Sequence, residues 1–461
     1  MTISLHAFIQ TLEIQRIPAS TRQLVQASLL DILGVAAGAF RNSTSQRIQQ
    51  YAVSHYPATD LCSRILFDGR AVHPLGAAWA GGFCIDSLDA HEGHFTSKGH
   101  AGATVVPALL ALIDAYEQQG RTISGLELLT ILCIGYEAAL RAGTALMATT
   151  PEYHASGAFS GIGVVCGAAR LLKLDETSFR HALGIAEYFA PRCPMMRLID
   201  HPTMLRDAHG AGAYAGINAI LLACAGITGA PATTVESGLT ANYWEDLGSR
   251  WEIDAQYFKP WPVCRWAQPA LTAMTKLLDQ HSQIRGERID SIEVETFHES
   301  MRLQGHFPQT PDEAQYALAF PLAALIARGQ VGPAEVTEEA IQAADILNVS
   351  RRIIIREARD LSDRFPEEIL SRVTVTLTSG ERFESPTTAA KGDPATAMTP
   401  DELSAKFHRL SAPSLPKTVR YAIEHEIAQL PTRSHCQGLF DLLYAQSVKP
   451  RTTPTAVGSA K

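Results

Sequence analysis

The sequence predicts a mainly α chain: a large all-helical domain with a smaller α+β domain inserted before the C-terminal helices. Three observations point there. Apolar residues recur at helical spacing through roughly the first 260 positions. Apolar–polar alternation of the strand kind appears only later, at 291–297 and 372–378. Helical signals then return at Pro400-Asp401-Glu402-Leu403. At about 100–200 residues per domain, 461 residues make two domains or three. The expected division is a helical domain over 1–265 plus 396–449, an α+β domain over 266–395, and a flexible tail over 450–461.

The elements follow in order. Ser20-Thr21 offers an N-cap before Leu24, Val25, Leu29, Leu30, Ile32 and Leu33, one face of a helix. Further helical runs cover 102–118, 123–147, 157–172, 176–189 and 208–225. Several are rich in Gly and Ala, which lets backbones approach closely. The pairs Gly161/Gly163 and Gly210/Gly212 follow no predicted strand, so they do not read as a nucleotide-cradling loop. Residues 210–236 carry no charge before Glu236. Asn218 and the turn signal at 226–231 make this a buried helix rather than a membrane span. In the second domain, the run 372–378 meets a Ser379-Gly380 turn and then Arg382-Phe383-Glu384, a hairpin. An apolar helix over 316–327 and a more polar one around 337–346 lie between the strands, and 394–400 is a loop.

Composition excludes several classes. The net charge of −8 argues against a nucleic-acid backbone as partner. The eight cysteines are scattered with no C-x-x-C pair, so neither an iron–sulfur cluster nor a structural zinc site is indicated. Most lie in apolar runs, as small buried hydrophobes do in a reducing compartment. The expected location is cytoplasmic, with an organelle left open. The N-terminus has no basic stretch ahead of an apolar one, so no secretory signal is expected.

Chemistry concentrates at 86–100. Asp86, Asp89, His91, Glu92, His94, Lys98 and His100 fall within fifteen positions, directly ahead of an apolar helix. These side chains move protons and grip carboxylates, and a helix start adds free N–H groups. His91 and His94 form an H-x-x-H pair, but no third metal ligand follows from spacing, and no metal is expected. Elsewhere single polar residues interrupt small-residue helices: His154, Arg206-Asp207-Ala-His209, and Lys259 between Tyr257-Phe258 and Pro260-Trp261-Pro262. Together they suit a multiply anionic small molecule.

These residues resemble the MmgE/PrpD family, which includes 2-methylcitrate dehydratase, cis-aconitate decarboxylase and iminodisuccinate epimerase. The likeness runs from about Ser20 to Leu410. It rests on Leu88-Asp89 leading to Gly99-His100-Ala-Gly, Val105-Val-Pro107, Gly135-Tyr-Glu-Ala, His154, Leu205-Arg-Asp207, Phe258-Lys-Pro-Trp-Pro262, Glu313-Ala-Gln-Tyr-Ala-Leu-Ala-Phe320 and Lys391-Gly-Asp-Pro. The resemblance implies a helical body with an α+β lid, a homodimer, no cofactor and a site between body and lid. It places the catalytic aspartate on Asp89 and the two catalytic histidines on His100 and His154. It places substrate-gripping cations on Arg206 and Lys259; Lys98 and His94, from the charged segment itself, are further binding candidates. It departs from the decarboxylase-like members at Gly93, where they carry Thr, at Arg206 for Lys, and at Phe320 for a lid tyrosine. His91 and Glu92 stand where an aspartate pair is common.

The expected function is a cofactor-independent dehydratase acting on a small di- or tricarboxylic hydroxy acid, with His100 and His154 as acid and base and Asp89 orienting an imidazole. The alternatives are an isomerase or epimerase of a small diacid, a decarboxylase, and a non-catalytic carboxylate-binding paralogue. No nucleic acid or membrane partner is expected.

Overall fold

The computed structural model describes residues 4–284 and 288–445. The expected tail over 450–461 lies outside the described residues.

Missing side chains set the helix spacing. The helix Gly157–Leu172 crosses Gly125–Thr149 so closely that a Cβ on Gly163 would come within 2.2 Å of the Gly135 carbonyl oxygen. On its other side it meets His209–Cys224, which in turn touches Pro74–Asp86 through Gly210 and Gly82. The helices Gly102–Gln118 and Ala19–Ala39 complete this body, and Pro400–Ser411 returns from late in the chain to pack on Ala19–Ala39. One apolar core joins these elements, from Phe8 and Ile9 through Leu109 and Val165 to Phe407, Leu410 and Phe440.

A second apolar core holds the α+β part. Its five-stranded sheet has Ile289–Thr296 at the centre, parallel to Ile353–Glu357 and antiparallel to Leu370–Leu377. The strands Arg382–Glu384 and Thr388–Ala389 both pair with Leu370–Leu377. Alternation buries Ile292, Val294, Val373 and Val375 against the helix Gln268–Gln280. Met195, Leu198 and Ile199, on a short helix Met195–Asp200, also join this second core although they precede residue 265. The chain is mainly α with a small α+β part, as the sequence predicts.

Some local expectations change. The helix Ala19–Ala39 starts after Pro18 with no side-chain cap, so Ser20 and Thr21 lie inside it. Proline can supply the start because its fixed φ needs no donor. The polar helix expected around 337–346 is a 3₁₀ turn Ala340–Gln342 followed by a helix Ala344–Ser350. The apolar helix expected over 316–327 is Ala319–Arg328, separated from a one-turn helix Pro311–Gln315 by a break at 316–318. The charge-free helix ends at Cys224. Among the described residues one helix, Gly125–Thr149, is long and apolar enough to cross a membrane, and its apolar window is largely buried among its neighbours.

Candidate active site

The segment 86–100 is fixed at both ends by helices and in its middle by a strand pair. Asp86 ends the helix Pro74–Asp86, and His100 lies just before Gly102–Gln118. Between them Gly93–His94 pairs antiparallel with Gln256–Tyr257, two residues before Lys259. That pairing brings distant parts of the chain to one place. The ammonium of Lys259 hydrogen-bonds the Asp89 carboxylate, and both residues are buried. Burial favours the neutral acid, but Lys259, His100 and Arg206 outweigh it and hold Asp89 below the usual carboxylate range.

His100 is fixed by its own segment. Its Nδ1 lies 2.6 Å from the Glu92 carbonyl oxygen. A carbonyl only accepts, so Nδ1 carries the proton and Nε2 keeps the lone pair. Burial, then the Lys259 charge, pushes this imidazole down to about 4, so it is neutral at pH 7. The Glu92 carboxyl caps the next helix, accepting the Gly102 N–H at 2.7 Å where that helix has no N-cap side chain. Burial, then the Asp31 charge, pushes Glu92 up to about 8.

Gly93 has no room for a side chain. A Cβ there would come within 2.2 Å of the Tyr257 hydroxyl and 2.8 Å of His100 Nδ1. The space that a side chain at 93 would take is filled here by a phenol.

These groups line a cavity of about 540 Å³. Asp89, His94, Lys98, His100 and Lys259 all reach it, and so do Tyr153, Asp207, Tyr257, Arg265 and Tyr316. Asp207 Oδ1 accepts from the Ser156 backbone N–H at 3.2 Å and its hydroxyl at 3.1 Å. The Tyr316 hydroxyl donates to Asp207 Oδ2 at 3.5 Å. The Arg265 guanidinium stacks 3.5 Å from the Tyr257 ring centre and pairs with Asp393 at 2.7 Å. Burial above all raises the phenols of Tyr153, Tyr257 and Tyr316, leaving them as hydrogen-bond donors at neutral pH.

Not every residue singled out in the sequence reaches the cavity. Arg206 is spent elsewhere: its guanidinium pairs with Asp312 at 2.8 Å and donates to Gln315 Oε1 at 3.1 Å. Gln315 Oε1 also accepts the Asp89 backbone N–H at 2.8 Å. Arg206 therefore ties the helical body to the turn before Tyr316 and does not line the cavity. His154 does not line it either; its neighbour Tyr153 does, and the His154 backbone bridges to Pro194. Phe320 is fully buried in the second core, so the hydroxyl on that side comes from Tyr316, four residues earlier in the break between the two helices. Lys98 lines the rim, with a backbone φ of +48° and its ammonium 5.9 Å from the Tyr153 ring centre. His94 is held by Glu252 at 3.3 Å and by Ser97.

Sequence reasoning missed Tyr153, Tyr257 and Tyr316 and gave Asp207 no role. Each of the first two stands within two positions of a residue it did select, which was the available signal. His91 is buried with neither ring nitrogen hydrogen-bonded, edge-on to His100 at 4.4 Å and to His209 at 5.3 Å. Two trios, Asp86/His91/His209 and Asp89/His91/His100, bring possible ligand atoms within 4.8 Å of one another. A cation on the second trio would have to compete with the Lys259 ammonium for Asp89.

Comparison with known proteins matches the MmgE/PrpD N-terminal domain over residues 4–246 and the MmgE/PrpD C-terminal domain over 261–430. The chain is 23% identical over 477 residues to a cis-aconitate decarboxylase-like protein, oryM, of Aspergillus oryzae, covering 96% of this chain and 97% of that protein. It is 25% identical over 213 residues to a cis-aconitate decarboxylase of Aspergillus terreus, covering 46% of this chain and 43% of that protein.

Proposed function

The chain belongs to the MmgE/PrpD family, and from that premise we propose that it is a lyase that dehydrates a small di- or tricarboxylic hydroxy acid without a cofactor. The observation that carries this is a neutral His100 with its Nε2 lone pair free, sharing one cavity with the buried Lys259 ammonium. Dehydration of a β-hydroxy acid needs a base for a weakly acidic C–H and a charge-stabilising, proton-giving partner for the leaving oxygen. A positioned base contributes roughly 10²–10⁴-fold.

His100 Nε2 takes the proton from the carbon beside a substrate carboxylate. The electron pair forms the C=C bond, the C–O bond breaks, and the departing hydroxyl leaves as water with a proton from the Lys259 side. Lys259, held by Asp89, and the phenols of Tyr257 and Tyr316 stabilise the charge that builds on the carboxylate. Lys98 and Arg265 attract the anion to the rim despite the overall negative charge. Arg206 and His154 act as positioning residues behind this wall, and His94 holds the Gly93–His94 strand in place.

Decarboxylation of an unsaturated tricarboxylate is the second reading, favoured by the names of the two Aspergillus relatives. It uses the same cavity, with CO₂ leaving and a proton delivered to the carbon. Incubating purified protein with 2-methylcitrate, citrate, cis-aconitate and homologous hydroxy acids separates the two. Dehydration raises ultraviolet absorbance of a conjugated alkene and incorporates no CO₂ loss, whereas decarboxylation releases CO₂. Deuterium uptake in D₂O with neither would mark an epimerase and overturn both.

The eight unpaired cysteines fit a reducing compartment, and the cytoplasm is our assignment. We assign a homodimer as the working state; Tyr188 and Phe189, 80% and 57% exposed, supply apolar surface that such a contact would cover. Light scattering of the purified chain tests it.

A further inference from the structure

We propose that the substrate acid carries an apolar tail of several carbons, bound in a lobe of the cavity opposite the carboxylate-binding groups. This rests on the reading of the polar end given above. The cavity of about 540 Å³ falls in the roughly 300–1,000 Å³ range of sites that enclose drug-sized ligands, more than a six-carbon tricarboxylate needs.

Its lining divides by chemistry. The polar residues interlock with one another: Lys259 with Asp89, Tyr316 with Asp207, and Arg265 with Tyr257. The apolar ones do the same elsewhere. Trp266 stands edge-on to Phe365 at 6.2 Å, and Phe365 stacks on Phe297 at 4.8 Å, a rigid aromatic floor. Ile369 packs in the same small cluster. Met147 from Gly125–Thr149, with Met196 and Ile199 from Met195–Asp200, add to the apolar lining. Methionine is unbranched and polarisable, so it adapts to a flexible alkyl chain. The charged residue that the neighbouring turn His298–Leu303 lends to this lining is Glu299, an anion, which repels a substrate carboxylate and so orients the acid with its tail on this side. An apolar wall left facing water is costly unless something covers it, and an alkyl chain is the occupant whose chemistry matches.

The test is a homologous series. Citrates alkylated at C2 with methyl, butyl and hexyl groups are compared by kcat/KM. In parallel, succinates with the same alkyl groups, which lack a leaving hydroxyl, are compared by calorimetric Kd. Each buried methylene is expected to improve either constant about fourfold. Turnover that is equal or falls from methyl to hexyl, with a flat Kd series, overturns the tail while leaving the dehydratase reading intact. A Kd that tightens with chain length, with no turnover of any acid, upholds the tail and overturns the dehydratase reading. Met196→Trp and Met147→Trp each fill the lobe from a different helix. Either folded variant is expected to cut the hexyl-to-methyl ratio at least about tenfold; an unchanged ratio in both overturns the proposal.

Discussion

The imidazole of His100 donates from Nδ1 to the backbone carbonyl of Glu92, 2.6 Å away. One short hydrogen bond within its own segment thus decides which nitrogen is the base. A side chain that keeps the donor but lacks the second nitrogen separates structure from chemistry. His100→Asn retains an N–H near the carbonyl and is expected to lower kcat by about 10²–10⁴-fold with little change in melting temperature. Activity within a few-fold of the parent removes His100 from the proton transfer.

The same histidine sets an acid limit. Folding lowers its pKa from 6.5 to about 4, because burial and Lys259 disfavour the cation. A depressed base stays unprotonated to lower pH, so the acid limb of kcat/KM should fall near 4, well below the 6.5 of a free imidazole. Its contribution to stability is complete above about 6.5 and is lost as the pH falls towards 4. Glu92 runs the other way, since its pKa rises from 4.5 to about 8. Its contribution is complete below 4.5 and is lost as the pH rises through 8. Melting temperatures across pH 4–9 should therefore fall at both ends, and Glu92→Gln should flatten the alkaline fall alone.

Arg206 and Asp312 test as a pair. Arg206→Met leaves Asp312 buried without its cation and is expected to cost about 3–5 kcal/mol of stability, whereas adding Asp312→Leu restores most of it. Denaturant titrations of the single and double variants read this directly. If the single variant keeps its stability and instead raises KM more than tenfold, the arginine grips substrate after all.

Phe320 and Tyr316 make opposite predictions. Phe320→Tyr buries a hydroxyl in an apolar core, with an expected loss of about 1–3 kcal/mol and no new reaction. Tyr316→Phe removes the phenol that faces Asp207 and should lower kcat/KM about tenfold or more at unchanged fold. Steady-state kinetics with thermal melts on both variants distinguish the two positions; a gain of activity in Phe320→Tyr would reverse them.

How far the sequence reached depended on the range of the interaction. The helices Gly102–Gln118, Gly157–Leu172 and Glu176–Phe189 begin and end where local spacing places them, the last with Asp175 as its cap. The acidic and basic residues of 86–100, standing in apolar surroundings, announced the site because charge is rarely buried without purpose. The strand Ile353–Glu357 went unread, since a short parallel strand at an edge has little alternation to show. The partners of Arg206 were unreadable because Asp312 and Gln315 lie more than a hundred residues away. Tyr316 was missed through a break at 316–318 that turns one continuous apolar pattern into two orientations. The apolar side of the cavity was invisible for a simpler reason: Met147, Met196 and Ile369 read as ordinary core residues until a cavity opens beside them.

Gly93 and Tyr257 occupy one volume, since a Cβ on the glycine would meet the phenol oxygen. The order of change between them is therefore constrained. A side chain at 93 and the phenol at 257 exclude each other, so Gly93→Thr requires Tyr257 to be replaced first. Each position fixes what the other can hold, so the two can change only as a pair.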